Sequence, residues 1–164
     1  MGCASPSHRT SDGRAVDWFV LFLVAAASIA VARIVYQVLD LTALDWGANG
    51  ETREIEITAS FAAAHPGSDV RYMIRAFAAA EARENLDATW FDHRDEAIAS
   101  ASRRLDVMES SNRWATLSVK VQVPRVARSL VLFFGVRTPD KTSPKAAHYL
   151  DDVHVSLIEP QALP

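Results

Sequence analysis

The chain has 164 residues, and its 17 basic and 20 acidic side chains give a net charge of −3 at pH 7. The lysines and arginines are scattered along the sequence, which excludes the continuous basic stripe typical of nucleic-acid-binding proteins. Because Cys3 is the single cysteine, no intramolecular disulfide can stabilise the fold.

An almost uninterrupted apolar stretch runs from Trp18 to Leu39, after a short polar segment at residues 1–17. A helix that rises 1.5 Å per residue needs about 20 residues to cross a hydrocarbon core of roughly 30 Å. The one charge in the stretch, Arg33, lies near its end, where the guanidinium can reach the membrane interface. The sequence therefore predicts a single transmembrane helix over residues 18–39, retained as an anchor.

Two other interpretations of the N-terminus stay open. Arg9 and Arg14 precede the apolar stretch, and Ala30-Val31-Ala32 has the small-x-small form of a signal-peptide cleavage site. Met1-Gly2-Cys3 suggests lipidation, although Pro6 occupies the position where a myristoylation signal has Ser or Thr.

The charges that flank the apolar stretch predict its orientation. Arg9 and Arg14 stand before it, whereas Arg53 is the one basic residue between residues 41 and 55. Basic residues favour the cytoplasmic side of a membrane. We therefore expect a cytoplasmic N-terminus and a C-terminal part that is periplasmic or extracellular.

The rest of the chain is long enough for one domain and too short for two. Residues 40–51 form a juxtamembrane connector that ends in a turn-forming segment. Residues 52–159 are the predicted domain, and residues 160–164 are a short tail.

Alternating or β-branched segments predict six or seven short strands in this domain. They cover residues 54–61, 70–77, 86–91, 114–123, 129–136 and 149–158. Residues 78–85 and 96–108 have local helical character, but the first is too short for a stable isolated helix. The pattern predicts a mainly β fold, a small β-sandwich.

Several short motifs follow one another in a recognisable order. They are Asn112-Arg113-Trp114 at a strand start, Val123-Pro124-Arg125-Val126-Ala127 at a turn, Leu130-Val131-Leu132-Phe133 in an apolar strand, and Tyr149-Leu150-Asp151-Asp152-Val153-His154-Val155 in the last strand. This order resembles the galactose-binding-like jelly rolls of carbohydrate-binding modules. The resemblance covers roughly residues 52–159, and it implies a jelly-roll β-sandwich that binds a carbohydrate.

The resemblance also implies a structural calcium, with Asp151 as its first ligand and Asp152 as a second candidate. The N-terminal segment that helps to bind this calcium in the family is short here. Strand alternation places Asp151 on the inward side together with Val153. The alternative is a strand-end carboxylate that accepts backbone N–H bonds.

Sugar-binding modules stack sugar rings on exposed aromatic side chains, and the candidates here are Phe91, Trp90, Tyr72 and Tyr149. For each of them, packing in the core is the alternative. If residues 86–91 form a strand, Trp90 and Phe91 point to opposite faces. We then expect Trp90 in the core and Phe91 at the surface.

No nucleophile elbow, phosphate-binding loop or zinc-ligand spacing is present in the sequence, and we expect no enzymatic activity. The favoured function is a single-pass, membrane-anchored extracytoplasmic binding module for a carbohydrate or cell-envelope ligand. The alternative is a structural or accessory subunit of a membrane protein complex that uses the sandwich for protein contacts. Exposed aromatic rings in a groove with polar neighbours favour sugar binding, whereas a flat apolar patch favours assembly.

Overall fold

The computed structural model describes residues 32–46, 50–63, 69–86, 88–107, 114–138 and 147–158. Seven strands occupy most of these ranges: β1 Ala32–Asp40, β2 Thr52–Ala63, β3 Val70–Ala79, β4 Ala99–Val107, β5 Ala115–Pro124, β6 Ser129–Arg137 and β7 His148–Ile158. Two short 3₁₀ segments, Arg83–Asn85 and Ala88–Glu96, connect β3 to β4. None of the helical segments in these ranges is long and apolar enough to cross a membrane.

The strands form two antiparallel sheets. One has four strands in the order β1-β6-β3-β4, and the other has three in the order β5-β2-β7. Alternate apolar residues of each strand point between the sheets, where Phe61 of β2 stacks on Tyr72 of β3 with ring centroids 4.9 Å apart. The mainly β prediction is confirmed, and the two sheets around a shared core are compatible with a β-sandwich.

A second, smaller core lies on the outer face of the four-stranded sheet. Trp90, from the 3₁₀ segment Ala88–Glu96, packs edge-on against Phe77 of β3, with ring centroids 6.2 Å apart. Ala79 and Val131 complete its buried set. This core covers one end of the outer face and leaves the other end open.

The predicted transmembrane helix is wrong for residues 32–39, because they lie in β1. This strand pairs antiparallel with β6 from Ala32 to Asp40. Leu39 packs against the main core and Val38 against the second core, so both sides of the strand are apolar. Hydropathy alone cannot distinguish a strand that is apolar on both sides from a helix. The β domain therefore includes residues before 52, and residues 18–31 lie outside the described part of the chain.

The predicted strand over residues 86–91 is also wrong, since Trp90 and Phe91 belong to the 3₁₀ segment Ala88–Glu96. Strand alternation therefore does not apply to these two residues. Residues 99–107, whose spacing looked helical, form β4 instead. The other five predicted strands are confirmed with small shifts of their ends.

Candidate functional site

Of the four aromatic residues predicted to bind a ligand, the three with described side chains do not come together. Tyr72 is 2% exposed between the sheets, where burial raises the pKa of its hydroxyl. Trp90 is 9% exposed in the second core, and Tyr149 is 54% exposed on β7 of the other sheet. Phe91 lies in the 3₁₀ segment, and its side chain is outside the described part of the structure. Of the three described rings, only that of Tyr149 is widely available to a ligand.

Asp151 and Asp152 lie at an irregularity in β7. The pairing of β7 with β2 shifts register there, and Asp152 has a positive φ of 54°. The extra residue changes the alternation, as a β-bulge does. Asp151 is exposed, whereas Val153 packs against the core. The prediction that Asp151 points inward with Val153 is therefore wrong.

Both carboxylates have local partners. The Oδ1 atom of Asp151 accepts a hydrogen bond from the backbone N–H of Asp152 at 2.8 Å. The Oδ1 atom of Asp152 lies 2.6 Å from Nε2 of His154. Among the described residues, no three His, Cys, Asp or Glu side chains are grouped so that they could hold a metal ion. The calcium site at Asp151 and Asp152 stays a prediction of the resemblance.

A depression of about 160 Å³ lies instead on the open end of the four-stranded sheet. We call it the arginine groove. It is lined by Ile34, Arg71, Met73, Arg75, Arg104, Gly135, Val136 and Arg137. These residues come from all four strands of the sheet, so the groove is a product of the strand register rather than of one loop.

The register orders the groove in rows that run across the sheet. In the first row, Arg137 of β6 is opposite Arg71 of β3, which is opposite Asp106 of β4. In the second row, Met73 lies between Gly135 and Arg104. Residues directly opposite on antiparallel strands have Cβ atoms roughly 5 Å apart. The direct pairing of Arg71 with Arg137 therefore brings two like charges together.

Two of the groove arginines have defined orientations. The guanidinium of Arg71 donates to both carboxylate oxygens of Asp106, at 2.5 and 3.2 Å. The hydrogen bond from Arg71 is the main cause that lowers the pKa of Asp106, and the same bond raises the pKa of Arg71. Arg75 donates from Nε to the Met73 sulfur at 3.1 Å, which directs its stem toward the groove floor.

The other three arginines of the groove are not held in ion pairs by the described residues, although the charge of Arg104 also helps to lower the pKa of Asp106. Within the described ranges, Arg75, Arg104 and Arg137 form no salt bridge with a carboxylate. Arg104 and Arg137 are exposed, and Arg75 is half-buried. The groove thus offers three guanidinium groups that can donate hydrogen bonds to an anion.

An exposed aromatic ring stands beside the groove. Tyr36 of β1 is 53% exposed and follows Ile34 on the same side of the strand. Its ring lies 6.3 Å from that of Phe133, centroid to centroid, with the planes tilted by 37°. Phe133 is in turn opposite Arg75 of the neighbouring strand β3. Aromatic and cationic side chains therefore form one continuous surface.

Sequence reasoning could identify only part of this site. Alternation in β3 already places Arg71, Met73 and Arg75 on one face. Arg104 and Arg137 join them through pairing with distant strands, which no local pattern encodes. Tyr36 was missed as a site residue because it falls within residues 18–39, which the sequence predicted to be a transmembrane helix.

Comparison with known proteins does not assign the chain to a family. No family model matches the chain, and no significant relative is found among curated proteins. The site must therefore be interpreted from its own chemistry.

Proposed function

We propose that the protein is a non-catalytic extracytoplasmic binding module that takes a carbohydrate or cell-envelope glycan on the outer face of its four-stranded sheet. The observation that carries this proposal is the position of the exposed Tyr36 ring beside the arginine groove. An apolar ring can stack on a sugar face while neighbouring charged groups hydrogen-bond its substituents. A flat apolar patch, which would favour assembly with another protein, is a poorer description of this surface.

The order of the strands agrees with a more specific form of the proposal, which includes the type of β-sandwich. The sheet orders β1-β6-β3-β4 and β5-β2-β7 are compatible with the galactose-binding-like jelly roll that the sequence motifs resemble. In that reading, the V-P-x-x-A turn links β5 to β6, and the Y-x-D-D-V-x-V motif is β7. Because function resides in sites rather than folds, the proposed ligand face rests on the groove and not on the resemblance.

Export from the cytoplasm is part of the proposal. Because β1 begins at Ala32, only residues 18–31 of the apolar stretch precede the domain in the sequence. This length is typical of the apolar region of a signal peptide, about 7–15 residues. We therefore favour the signal-peptide interpretation, with cleavage after Ala32, over the retained single-pass anchor.

The experiment that tests the ligand face compares two tyrosines of similar exposure. Tyr36 is 53% exposed on β1, and Tyr149 is 54% exposed on β7 of the other sheet. The full-length protein, its Tyr36→Ala variant and its Tyr149→Ala variant would be screened on an array of neutral and acidic glycans. We expect Tyr36→Ala to lose the glycan signal and Tyr149→Ala to keep it.

The reverse pattern would move the site to β7, as the sequence predicted for Tyr149. Absence of signal on every glycan, together with a purified complex containing other envelope proteins, would support the accessory-subunit alternative instead.

A further inference from the structure

We propose that the ligand of the arginine groove is an acidic polysaccharide, whose carboxylates pair with Arg104 and Arg137 while one of its sugar rings stacks on Tyr36. This inference rests on the proposed glycan-binding function and names the class of glycan.

The charge of the groove is the first argument. Four arginines and one carboxylate, that of Asp106, line or border its floor, so its net charge is +3. The whole chain has a net charge of −3. The outer face of the other sheet carries Glu54 and Glu56, with Lys120 in a salt bridge to Glu54. A concentration of positive charge on one face of an acidic protein attracts an anionic ligand and orients its approach.

The spacing of the charges is the second argument. Arg104 on β4 and Arg137 on β6 are separated by the intervening strand β3. Since neighbouring strands lie about 4.8 Å apart, the two backbones are roughly 10 Å apart across the sheet. At this spacing the two exposed guanidinium groups can each bind a separate acidic group. A chain that carries an acidic group on successive sugar units can reach both arginines.

The pairing inside the groove is the third argument. Arg71 already binds the carboxylate of Asp106 through two of its nitrogen atoms. The planar fork of a guanidinium matches a carboxylate in this way. The contact between Arg71 and Asp106 is therefore an example, within the protein, of the contact that Arg104 and Arg137 would make with a carboxylate of the ligand.

The size of the groove is consistent with a polymer that lies across the surface. Its volume of about 160 Å³ is below the roughly 300–1,000 Å³ of pockets that enclose a drug-sized ligand. One acidic group and part of a sugar ring can enter it, and the rest of the chain would extend along the sheet toward Tyr36.

The experiment uses the full-length protein and three probes in calorimetric titrations at low and high salt. Polygalacturonate carries a carboxylate on each sugar, and its methyl-esterified form has the same backbone without the charge. Inorganic polyphosphate carries charge without sugar. We expect binding to polygalacturonate, weakened by salt because the groove is exposed, and at least about tenfold weaker binding to the esterified polymer and to polyphosphate.

Matched variants locate the contact. Arg104→Gln and Arg137→Gln should each weaken binding of polygalacturonate about tenfold. Arg103→Gln is the control, because Arg103 is exposed on the same strand but alternates to the other face. Asp106→Asn should strengthen binding about two- to fivefold, because it removes a competing carboxylate and releases Arg71. A damaged fold cannot produce this gain.

The outcomes separate this inference from the proposed function. Equal binding of both polymers, lost in Tyr36→Ala and unchanged in Arg104→Gln, would overturn the acidic class and leave glycan binding intact. Tight binding of polyphosphate that does not depend on Tyr36 would overturn both, in favour of a phosphate polymer. Self-association of the protein through its acidic and basic faces, abolished by Arg137→Gln without any polymer binding, would also overturn both.

Discussion

Met73 and Gly135 face each other across β3 and β6 on the floor of the arginine groove. A Cβ atom at position 135 would lie 3.0 Å from Cε of Met73. Glycine at this position therefore keeps the floor open and leaves room for the methionine, whose sulfur accepts the hydrogen bond from Arg75.

Gly135→Val should close the groove without disrupting the fold. The obstacle to the new side chain is the flexible end of Met73, which can move, and a β-branched residue suits a strand. We expect the free energy of unfolding to change by no more than about 1 kcal/mol, while binding of the acidic polymer falls about tenfold or more. Chemical denaturation and titration measure the two effects.

Gly50→Ala provides the contrast, because its Cβ would overlap the backbone carbonyl of Trp46. It should destabilise the protein without filling the groove. Equal loss of stability in Gly135→Val would show that Gly135 has a structural role only.

Trp90 should contribute strongly to stability, whereas Trp114 should not. Trp90 is 9% exposed and packs against Phe77, while Trp114 is 51% exposed before β5. Removal of a large buried aromatic costs about 3–5 kcal/mol. We expect Trp90→Ala to lower the free energy of unfolding by about this amount and Trp114→Ala to change it by less than about 1 kcal/mol. Similar losses in both variants would contradict the second core.

The Arg71–Asp106 pair should stabilise the protein in a pH-dependent way. The hydrogen bond from Arg71 holds the pKa of Asp106 below its ordinary value of 3.8. A lowered native pKa gives stability that is present above the unfolded pKa and is lost as pH falls through the native pKa. The difference in unfolding free energy between the wild type and Asp106→Asn should therefore shrink between about pH 5 and pH 2.

Urea denaturation at several pH values measures this difference. Parallel curves for the two proteins over the whole range would mean that the pair contributes nothing to folding, as many exposed ion pairs do.

The bulge in β7 should favour glycine at position 152. Asp152 has a φ of 54°, a conformation that glycine adopts without steric cost. We expect Asp152→Gly to retain its melting temperature and Asp152→Val to lose roughly 1–2 kcal/mol of stability. A lower melting temperature in Asp152→Gly would show that the contact of Asp152 with His154 outweighs the backbone strain.

The calcium prediction can be tested on the same strand. If Asp151 binds a structural calcium, the melting temperature of the wild type should be higher in calcium than in chelator. Asp151→Ala should remove that difference. Identical melting of the wild type in both conditions would leave Asp151 as the acceptor of the Asp152 N–H bond alone.

The mature N-terminus should begin at Arg33 if residues 18–31 serve as an export signal. Mass spectrometry of the protein from its native membrane or medium distinguishes this product from a chain that keeps Met1. The intact chain, found in the membrane fraction, would restore the anchor. A replacement of Ala32 by a bulky residue such as Leu should block cleavage.

Most of the strands could be predicted from the sequence, but which strands pair with each other could not. Alternation predicted β2, β3, β5 and β7, and the apolar composition of residues 129–136 predicted β6, which is apolar on both sides. It failed for β1, which has apolar residues on both sides, and for Trp90, whose 3₁₀ segment has no such period. At Asp151 it failed because one inserted residue reversed the faces.

The site depends on the pairing of distant strands, which alternation within one strand cannot predict. The contact of Arg71 with Asp106 spans 35 residues of sequence. The pairing of Met73 with Gly135 joins two strands that are not consecutive in the chain. These long-range pairings bring the arginines together, so the composition of the groove follows from the register of the whole sheet.

The most direct test of the account is an NMR titration of the ¹⁵N-labelled full-length protein with polygalacturonate oligomers. If the ligand lies on the outer face of the four-stranded sheet, the largest amide shifts should occur at Tyr36, Arg104 and Gly135. The amides of Tyr149 and His154 on β7 should not move. Shifts centred on β7, with the amide of Gly135 unchanged, would contradict the assignment of the ligand face.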